Sequence, residues 1–292
     1  AWARRNLHGG TLQITFPSGV RALVGNRSFP VLQLEIKKPH FFNKVLSGGS
    51  IGFGEAYVEG DWDTHDLSGL LLLLAKNQKD LGCIGRGLSI LAKQANRIYH
   101  KARRNTLERS KKNIQAHYDL SNDFYQTFLD PSMTYSSALF QSLEESLEQA
   151  QFNKIDRMLD LADVGEGDTI LEIGSGWGAL ALRAVQRGCR VKTITLSEQQ
   201  FAYAKNLFEH EGVSDRVEIV LEDYRIQTGQ YDAVLSCEMI EAVGREYLGS
   251  YFQIVSQSLK PKARAVIQAI TIPDERYESY SRNCDWIQKH IF

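Results

Sequence analysis

The feature that most constrains the fold is a strand-like run that ends in a glycine-rich loop and continues into a helical pattern. The run is Thr169–Ile173, the loop contains Gly174, Gly176 and Gly178, and helical apolar spacing follows from Leu180. Glycines allow a backbone to turn tightly and to approach a ligand without an intervening Cβ. The free N–H groups at a helix start favour negative charge. The loop predicts a nucleotide-type ligand here, with a ligand-free tight turn as the alternative.

Four further strand-like runs follow, each separated from the next by a helical pattern. They are Arg190–Thr195, Val217–Val220, Ala233–Ser236 and Ala263–Ile270. Strands separated by helices of about 10–15 residues are typical of a parallel sheet with helices on both faces. We therefore predict an α/β fold, a doubly wound parallel sheet of the S-adenosylmethionine methyltransferase type. Because the pattern stops after five units, we expect this sheet to be incomplete at its C-terminal side.

The first part of the chain predicts a different architecture. Thr11–Phe16 and Val31–Ile36 alternate in polarity, a helical pattern begins near Pro39, and Leu67–Ala75 is apolar with helical length. We predict a small α+β domain over residues 1–80. A basic helical connector is predicted over 81–112, and the α/β domain over 113–292.

Composition limits the classes of function. No apolar run approaches the roughly 18–20 residues that span a bilayer, and no signal-peptide pattern opens the chain. Four cysteines are scattered without a C-x-x-C pair, which favours a reducing, cytoplasmic location and no metal site. The connector carries eight Lys or Arg residues against one acid between Lys93 and Lys112. Its aromatics are not interleaved with these charges, so no nucleic-acid partner is predicted; an anionic membrane surface and a solvated helix face both remain open.

Acidic and aromatic residues beside the glycine loop bear on the choice of cofactor. The spacing Gly174-x-Gly176-x-x-Ala179 also satisfies the loose dinucleotide fingerprint. However, Glu172 ends the first strand, where a carboxylate can meet a cationic amino group that NAD lacks. Asp223 and Tyr224 follow the third strand and suit an adenine amine and ring face. Together these residues favour S-adenosylmethionine.

The second strand offers a weaker signal. It ends in Thr195 and Leu196 without an acid that could bind a ribose. Glu198 and Gln200 follow on the next helical turn and are the candidates for that role.

Five short motifs, in this order, resemble the cyclopropane-fatty-acyl-phospholipid synthases and the related mycolic acid cyclopropane synthases and methyltransferases. The resemblance runs from about residue 113 to the end, and residues 50–70 resemble the N-terminal domain of the bacterial phospholipid enzymes. The motifs are His117–Tyr125, Leu129–Ser136, Leu171–Gly178, Thr195–Ser197 with Gln200, and Ile240–Gly244.

The resemblance implies transfer of a methylene group from S-adenosylmethionine to a cis double bond of an acyl chain, through a carbocation. Tyr135 and Ser136 match residues that line the cofactor in the family. In the family a bound bicarbonate removes the proton. The resemblance maps its site onto Glu241 and the backbone of Ile270. Ser137 stands at the family's Cys position and Gln268 at its His position; the family's Tyr would lie beyond residue 292.

The resemblance also implies the partners. An unsaturated phospholipid at the inner membrane surface is the expected substrate, with the protein peripheral to that membrane. The N-terminal domain is expected to serve lipid docking or to form a homodimer. Two alternatives remain open: an acyl-chain methyltransferase that yields a methyl or methylene branch, and a lipid-binding protein with a vestigial cofactor fold.

Overall fold

The computed structural model of the protein describes residues 7–25, 28–77, 121–282 and 286–290. The described residues form two compact units. One contains residues up to 77 together with 274–290, and the other contains residues 121–273. The predicted connector at 81–112 lies outside the described residues, as does His117. No described helix is both long enough and apolar enough to cross a membrane.

The N-terminal unit contains a mixed sheet in the order β2-β1-β3-β4. β1 pairs antiparallel with β2 and parallel with β3, and β4 is antiparallel to β3. The alternating polarity of β3 buries Leu32, Leu34 and Ile36 while the residues between them face outward, as its sequence predicts. The strands are β1 (Thr11–Thr15), β2 (Arg21–Gly25), β3 (Val31–Ile36) and β4 (Trp62–Asp63).

Two helices cover this sheet. α1 (His40–Val58) is interrupted at Gly49, whose φ of 59° and ψ of −131° are not helical. α2 (Leu67–Lys76) begins after Asp66, whose side chain accepts a hydrogen bond from the backbone N–H of Gly69 at 2.8 Å. The sheet and helices share one apolar core that includes Trp62 and Leu70.

The second unit is a five-stranded sheet in the order β7-β6-β5-β8-β9, with every neighbouring pair parallel. The predicted doubly wound α/β sheet is confirmed. The first two predicted strands match the structure residue for residue, whereas the last begins four residues earlier than predicted, at Leu259. The strands are β5 (Thr169–Ile173), β6 (Arg190–Thr195), β7 (Val217–Leu221), β8 (Tyr231–Cys237) and β9 (Leu259–Gln268).

Helices pack on both faces of this sheet. Ile170 of β5 belongs to one core and its neighbours Leu171 and Ile173 to another, because successive strand residues point to opposite faces. The helices are α3 (Asn122–Gln126), α4 (Leu147–Ala162), α5 (Ala179–Gln186), α6 (Glu198–His210) and α7 (Leu248–Gln257). The carboxyl ends of the parallel strands therefore meet at one edge, where a ligand site is expected.

The C-terminal helices α8 (Asp274–Arg282) and α9 (Trp286–His290) belong to the N-terminal unit. Lys289 and His290 both contact the Glu55 carboxylate, at 2.6 and 3.0 Å. The burial of Glu55 raises its pKa, but these cationic neighbours outweigh that effect and hold the pKa below its usual value. The predicted single domain over 113–292 thus differs from the observed grouping at its C-terminal end.

Candidate active site

The glycine loop lies between the end of β5 and the start of α5. The backbone N–H groups of Gly174 and Ser175 both donate to the carbonyl of Ile194 at 3.0 Å, which fixes the loop against β6. A Cβ on Gly178 would lie 2.9 Å from the Phe208 ring, whereas one on Gly176 would meet no atom within 4 Å. Gly178 therefore serves close helix packing, and Gly176 faces open space where a ligand can approach. The N-cap residue of α5 is Gly178, which has no side chain to cap the first turn.

Glu172 is buried at the end of β5, with 2% of its surface exposed. Its Oε2 atom is buried and has no hydrogen-bond partner among the residues that the structure describes. Burial raises the pKa of Glu172 to about 8, because a charge is poorly solvated there. A cationic ligand group would satisfy the carboxylate and restore its ionised form. The loop and this carboxylate together fit S-adenosylmethionine, which carries an amino group.

The tip of β6 brings together residues that the sequence placed in the site. The Thr195 hydroxyl donates to Oε1 of Gln200 at 2.9 Å and accepts from the backbone N–H of Ser197 at 3.1 Å. Ser197 caps α6 by accepting from the backbone N–H of Gln200. Leu196 lies between them and is half-buried. This turn lies beside the glycine loop. That Thr195, Leu196 and Gln200 contact the cofactor stays a prediction.

Asp223 and Tyr224 follow β7, and the structure separates their roles. The Asp223 carboxylate accepts two hydrogen bonds from the Arg225 guanidinium, at 2.8 and 2.6 Å. The Tyr224 ring is buried in a core of the sheet, edge-on to Tyr251 at 5.3 Å between ring centroids. Tyr224 therefore serves packing in this structure and does not present a free ring face, while the adenine role of Asp223 stays a prediction.

Aromatic side chains hold Tyr135 beside the glycine loop. The indole N–H of Trp177 donates to Oδ1 of Asn122 at 2.9 Å. The centroid of the Trp177 ring lies 4.8 Å from that of the Tyr125 ring. The Tyr125 centroid lies 5.3 Å from that of the Tyr135 ring. Trp177 thus fills the interface between the loop and the Tyr135 segment, which explains an aromatic residue inside a glycine-rich turn.

Lys154 of α4 is a buried cation that the sequence did not reveal. Its Nζ donates to the Ser136 hydroxyl at 2.5 Å, and the Cys237 thiol contacts the same hydroxyl at 3.3 Å. Burial lowers the pKa of Lys154, while the nearby Cys237 and Glu238 oppose that shift. Burial also raises the pKa of the Cys237 thiol, so this residue at the end of β8 is a neutral hydrogen-bond donor in the site.

Glu238, directly after β8, was also missed. Its Oε1 atom accepts hydrogen bonds from the Ser137 backbone N–H at 2.9 Å, the Ser137 hydroxyl at 2.8 Å and Nε2 of Gln268 at 2.8 Å. Ser137 and Gln268 were predicted as site residues, and the structure brings them together around this carboxylate. Its place in the sequence could have revealed it, because Glu238 directly follows a predicted parallel strand and so lies at the same sheet edge as Glu172.

Glu241 and Ile270 form a separate pair. Oε1 of Glu241 accepts a hydrogen bond from the backbone N–H of Ile270 at 2.5 Å. Of the four residues predicted to hold an anion, Ser137 and Gln268 therefore hydrogen-bond to the Glu238 carboxylate, and Ile270 hydrogen-bonds to the Glu241 carboxylate.

Comparison with known proteins identifies relatives of this arrangement. A family profile described as "Mycolic acid cyclopropane synthetase" matches residues 105–292. A tuberculostearic acid methyltransferase, UfaA1 of Mycobacterium tuberculosis, is 41% identical over 251 residues, which are 84% of this chain and 58% of that protein. A cyclopropane-fatty-acyl-phospholipid synthase of Escherichia coli is 32% identical over 278 residues, 91% of this chain and 67% of that one. The chain thus spans about three fifths to two thirds of these relatives.

A solved structure of similar fold is that of the mycolic acid cyclopropane synthase CmaA1 in complex with SAH and CTAB. Its TM-score is 0.51 at 33% sequence identity, covering 54% of this chain and 55% of that one. This similarity supports the parallel α/β fold predicted from the sequence.

Proposed function

Because the chain belongs to the mycolic acid cyclopropane synthetase family, we propose that it is an S-adenosylmethionine-dependent methyltransferase acting on an unsaturated phospholipid acyl chain. Methyl transfer to a cis double bond is proposed to produce a cyclopropane ring. The observation that carries the proposal is the buried Glu172 oxygen without a partner among the described residues, at the end of the strand that leads into the glycine loop. The SAH in the CmaA1 structure supports the same cofactor class.

The chain's own residues would bind and orient the cofactor. When bound, S-adenosylmethionine supplies an electrophilic methyl group on a sulfonium sulfur. Glu172 would pair with its amino group, Gly176 would allow close approach of the backbone, and the Thr195–Gln200 turn would bound the neighbouring side. An alkene is a weak nucleophile, so the main contribution of such a site is to position the reacting atoms.

An apolar surface beside Tyr135 supports an acyl-chain substrate. The ring centroids of Phe124 and Phe128 lie 5.5 Å apart, and the centroid of Phe128 lies 6.2 Å from that of Tyr135. All three side chains are between 44% and 49% exposed. Contiguous exposed aromatic rings next to a cofactor loop suit an apolar substrate better than a polar metabolite.

A membrane-surface location follows from the proposed substrate, because phospholipid acyl chains are not free in water. The basic residues predicted in the connector would attract anionic lipid by roughly 1 kcal/mol per charge near the surface. We propose a peripheral, cytoplasmic enzyme whose N-terminal unit docks on lipid or forms a homodimer. Deleting residues 1–80 tests that role: unchanged vesicle activity and unchanged oligomeric state would remove it.

The bicarbonate expected from the resemblance does not fit the described site. Ser137 and Gln268 direct their hydrogen bonds to Glu238, and the Ile270 backbone N–H donates to Glu241. The proposed reaction therefore includes no step through bicarbonate.

A second outcome at the same site is a methyl or methylene branch without ring closure. The relative named as a tuberculostearic acid methyltransferase, at 41% identity, favours it. Gln268 and Ser137 at the family's His and Cys positions are consistent with such a divergence. Both outcomes share the methyl transfer and differ only in how the cation is resolved.

The deciding experiment incubates the protein with methyl-labelled S-adenosylmethionine and vesicles of dioleoylphosphatidylglycerol, followed by NMR of the lipid. Label in the lipid with high-field ring protons supports cyclopropane formation, and label with olefinic or branch-methyl signals supports the second outcome. No S-adenosylmethionine binding by calorimetry would instead favour a lipid-binding protein with a vestigial cofactor fold.

A further inference from the structure

The surroundings of Glu238 bear on the step that follows methyl transfer. One carboxylate oxygen, Oε1, receives three hydrogen bonds, two from Ser137 and one from the Gln268 amide. Several donors on one carboxylate oxygen define its position. The other oxygen, Oε2, accepts no hydrogen bond from the described residues, so its lone pairs are accessible to a proton.

The Gln268 amide has a defined orientation. The Cys237 thiol contacts Oε1 of Gln268 at 3.3 Å, while Nε2 of Gln268 contacts the Ser137 hydroxyl at 2.9 Å and Glu238 at 2.8 Å. The Gln268 amide oxygen accepts from the Cys237 thiol, and the amide nitrogen donates to Ser137 and Glu238, so both ends of the amide have a suitable partner. Gln268 and Ser137 therefore act as positioning residues for the Glu238 carboxylate.

An additional small anion would be disfavoured here. Its hydrogen-bond donors would have to be taken from Glu238 or from Glu241, which accepts from the Ile270 backbone N–H at 2.5 Å. It would also lie beside Glu238, a carboxylate that already accepts from Ser137 and Gln268, and like charges that share a site oppose each other's ionisation. The buried Lys154 donates to Ser136 at 2.5 Å and already interacts electrostatically with the Glu238 carboxylate.

We propose that the Glu238 carboxylate is the catalytic base of this protein and takes the role that bicarbonate has in the family. The inference rests on the proposed methyl transfer. In that transfer the alkene π electrons form the new carbon–carbon bond, the sulfur–methyl bond breaks with its electron pair going to sulfur, and a cation forms on the neighbouring carbon. A proton of the transferred methyl group then passes to Glu238, and its C–H electron pair closes the ring. For a methylene branch, a hydride first shifts from the methyl-bearing carbon to the cationic carbon, and the C–H electron pair of the methyl group then forms the double bond to the methyl-bearing carbon. Solvent later removes the proton from Glu238.

The test measures turnover of the purified protein on dioleoylphosphatidylglycerol vesicles, in buffer freed of carbon dioxide and in buffer with added bicarbonate. We expect the same turnover in both buffers. Glu238→Gln keeps the shape but not the base, so we expect its kcat to fall by about 10²-fold or more. S-adenosylmethionine affinity by calorimetry should be unchanged, which separates loss of the base from misfolding. Glu218→Gln, a charge loss at an exposed position of β7, is the matched control.

A rescue experiment excludes a purely structural role. Glu238→Gly removes the carboxylate at a position whose φ of 45° glycine accepts readily, and it releases the Ser137 and Gln268 donors. Added bicarbonate or formate should then restore part of the activity of this variant while leaving the unsubstituted protein unaffected.

Turnover that stops without bicarbonate in the unsubstituted protein would overturn the inference and leave the proposed function intact. Wild-type turnover in Glu238→Gln would do the same. Absence of methylated lipid in both buffers would remove the proposed function, and this inference with it.

Discussion

Glu172 and Glu238 stand at the carboxyl ends of neighbouring parallel strands, β5 and β8, yet their surroundings are opposite. Glu172 is buried, and its Oε2 has no partner among the described residues. Glu238 is half-buried and receives three hydrogen bonds on one oxygen. The first carboxylate is incomplete without a cationic ligand, whereas the second is already held in place by the chain. We thus propose a cofactor-binding acid and a pre-positioned base at the same sheet edge.

The largest change that we expect is the loss of S-adenosylmethionine affinity when Glu172 loses its charge. Glu172→Gln removes the charge that would pair with the cofactor's amino group. Loss of one partner of a buried charge pair costs about 2–5 kcal/mol, so we expect the Kd for S-adenosylmethionine to rise roughly 30-fold or more. Isothermal titration calorimetry measures this change, with Glu218→Gln as the control. An affinity within about twofold of the original would show that Glu172 does not meet the cofactor.

Two glycines of the loop should respond differently to the same substitution. Gly178→Ala places a Cβ 2.9 Å from Phe208 at a φ of 100°, so we expect it to lower the free energy of unfolding by about 1–3 kcal/mol. Gly176→Ala has open space around its Cβ but keeps the strain of a φ of 49°, so it should cost less stability than Gly178→Ala and should weaken cofactor binding. Denaturant unfolding and calorimetry separate the two effects; equal stability losses without any change in affinity would contradict this division.

The pH dependence of stability should reveal Glu172 in the ligand-free protein. Its folded pKa of about 8 lies above the ordinary value of 4.5, so between these values the folded state binds more protons than the unfolded state. The contribution of Glu172 to the free energy of unfolding therefore falls as pH rises from about 4.5 to 8. Denaturant midpoints across this range should decline less steeply for Glu172→Gln; identical slopes would contradict the burial of this carboxyl.

The smallest change that we expect is a loss of stability at the amino ends of the parallel strands, away from the proposed cofactor site. Asp232 contacts Lys260 at 2.7 Å and Thr169 at 2.9 and 2.8 Å, and these partners lower its pKa to about 2. Because the site is partly exposed and screened by solvent, we expect Asp232→Asn to cost about 1 kcal/mol at neutral pH. Cofactor affinity should not change. A large loss of affinity would show that this edge is coupled to the ligand site.

Patterns local in sequence predicted the fold well. β5 and β6 were located to the residue, because apolar runs bounded by glycines and charges mark buried parallel strands. β2 (Arg21–Gly25) was not assigned, since its short run lacks a clear apolar alternation. The position of α9 depends on contacts of Lys289 and His290 with Glu55, which is more than 230 residues distant in sequence, and no local pattern encodes such a pairing.

The site was predicted only in part, for a similar reason. Glu172 and the glycines follow a strand in a recognisable spacing, so one region of sequence revealed them. Lys154, by contrast, is a single polar residue in an amphipathic helix and resembles a solvent-facing lysine. Glu238 gains its role from Ser137 and Gln268, which lie 101 and 30 residues away. Such a cluster exists only after the strands align.

Proton release on cofactor binding distinguishes Glu172, which we propose to bind a cationic group, from Glu238, which we do not. At pH 7 a carboxyl of pKa about 8 is mainly protonated, and pairing with the cofactor's amino group would ionise it. Calorimetric titrations in buffers of different ionisation enthalpy count the protons released. We expect about one proton for the unsubstituted protein and for Glu238→Gln, and almost none for Glu172→Gln. No release from the unsubstituted protein, or release abolished by Glu238→Gln alone, would contradict this expectation.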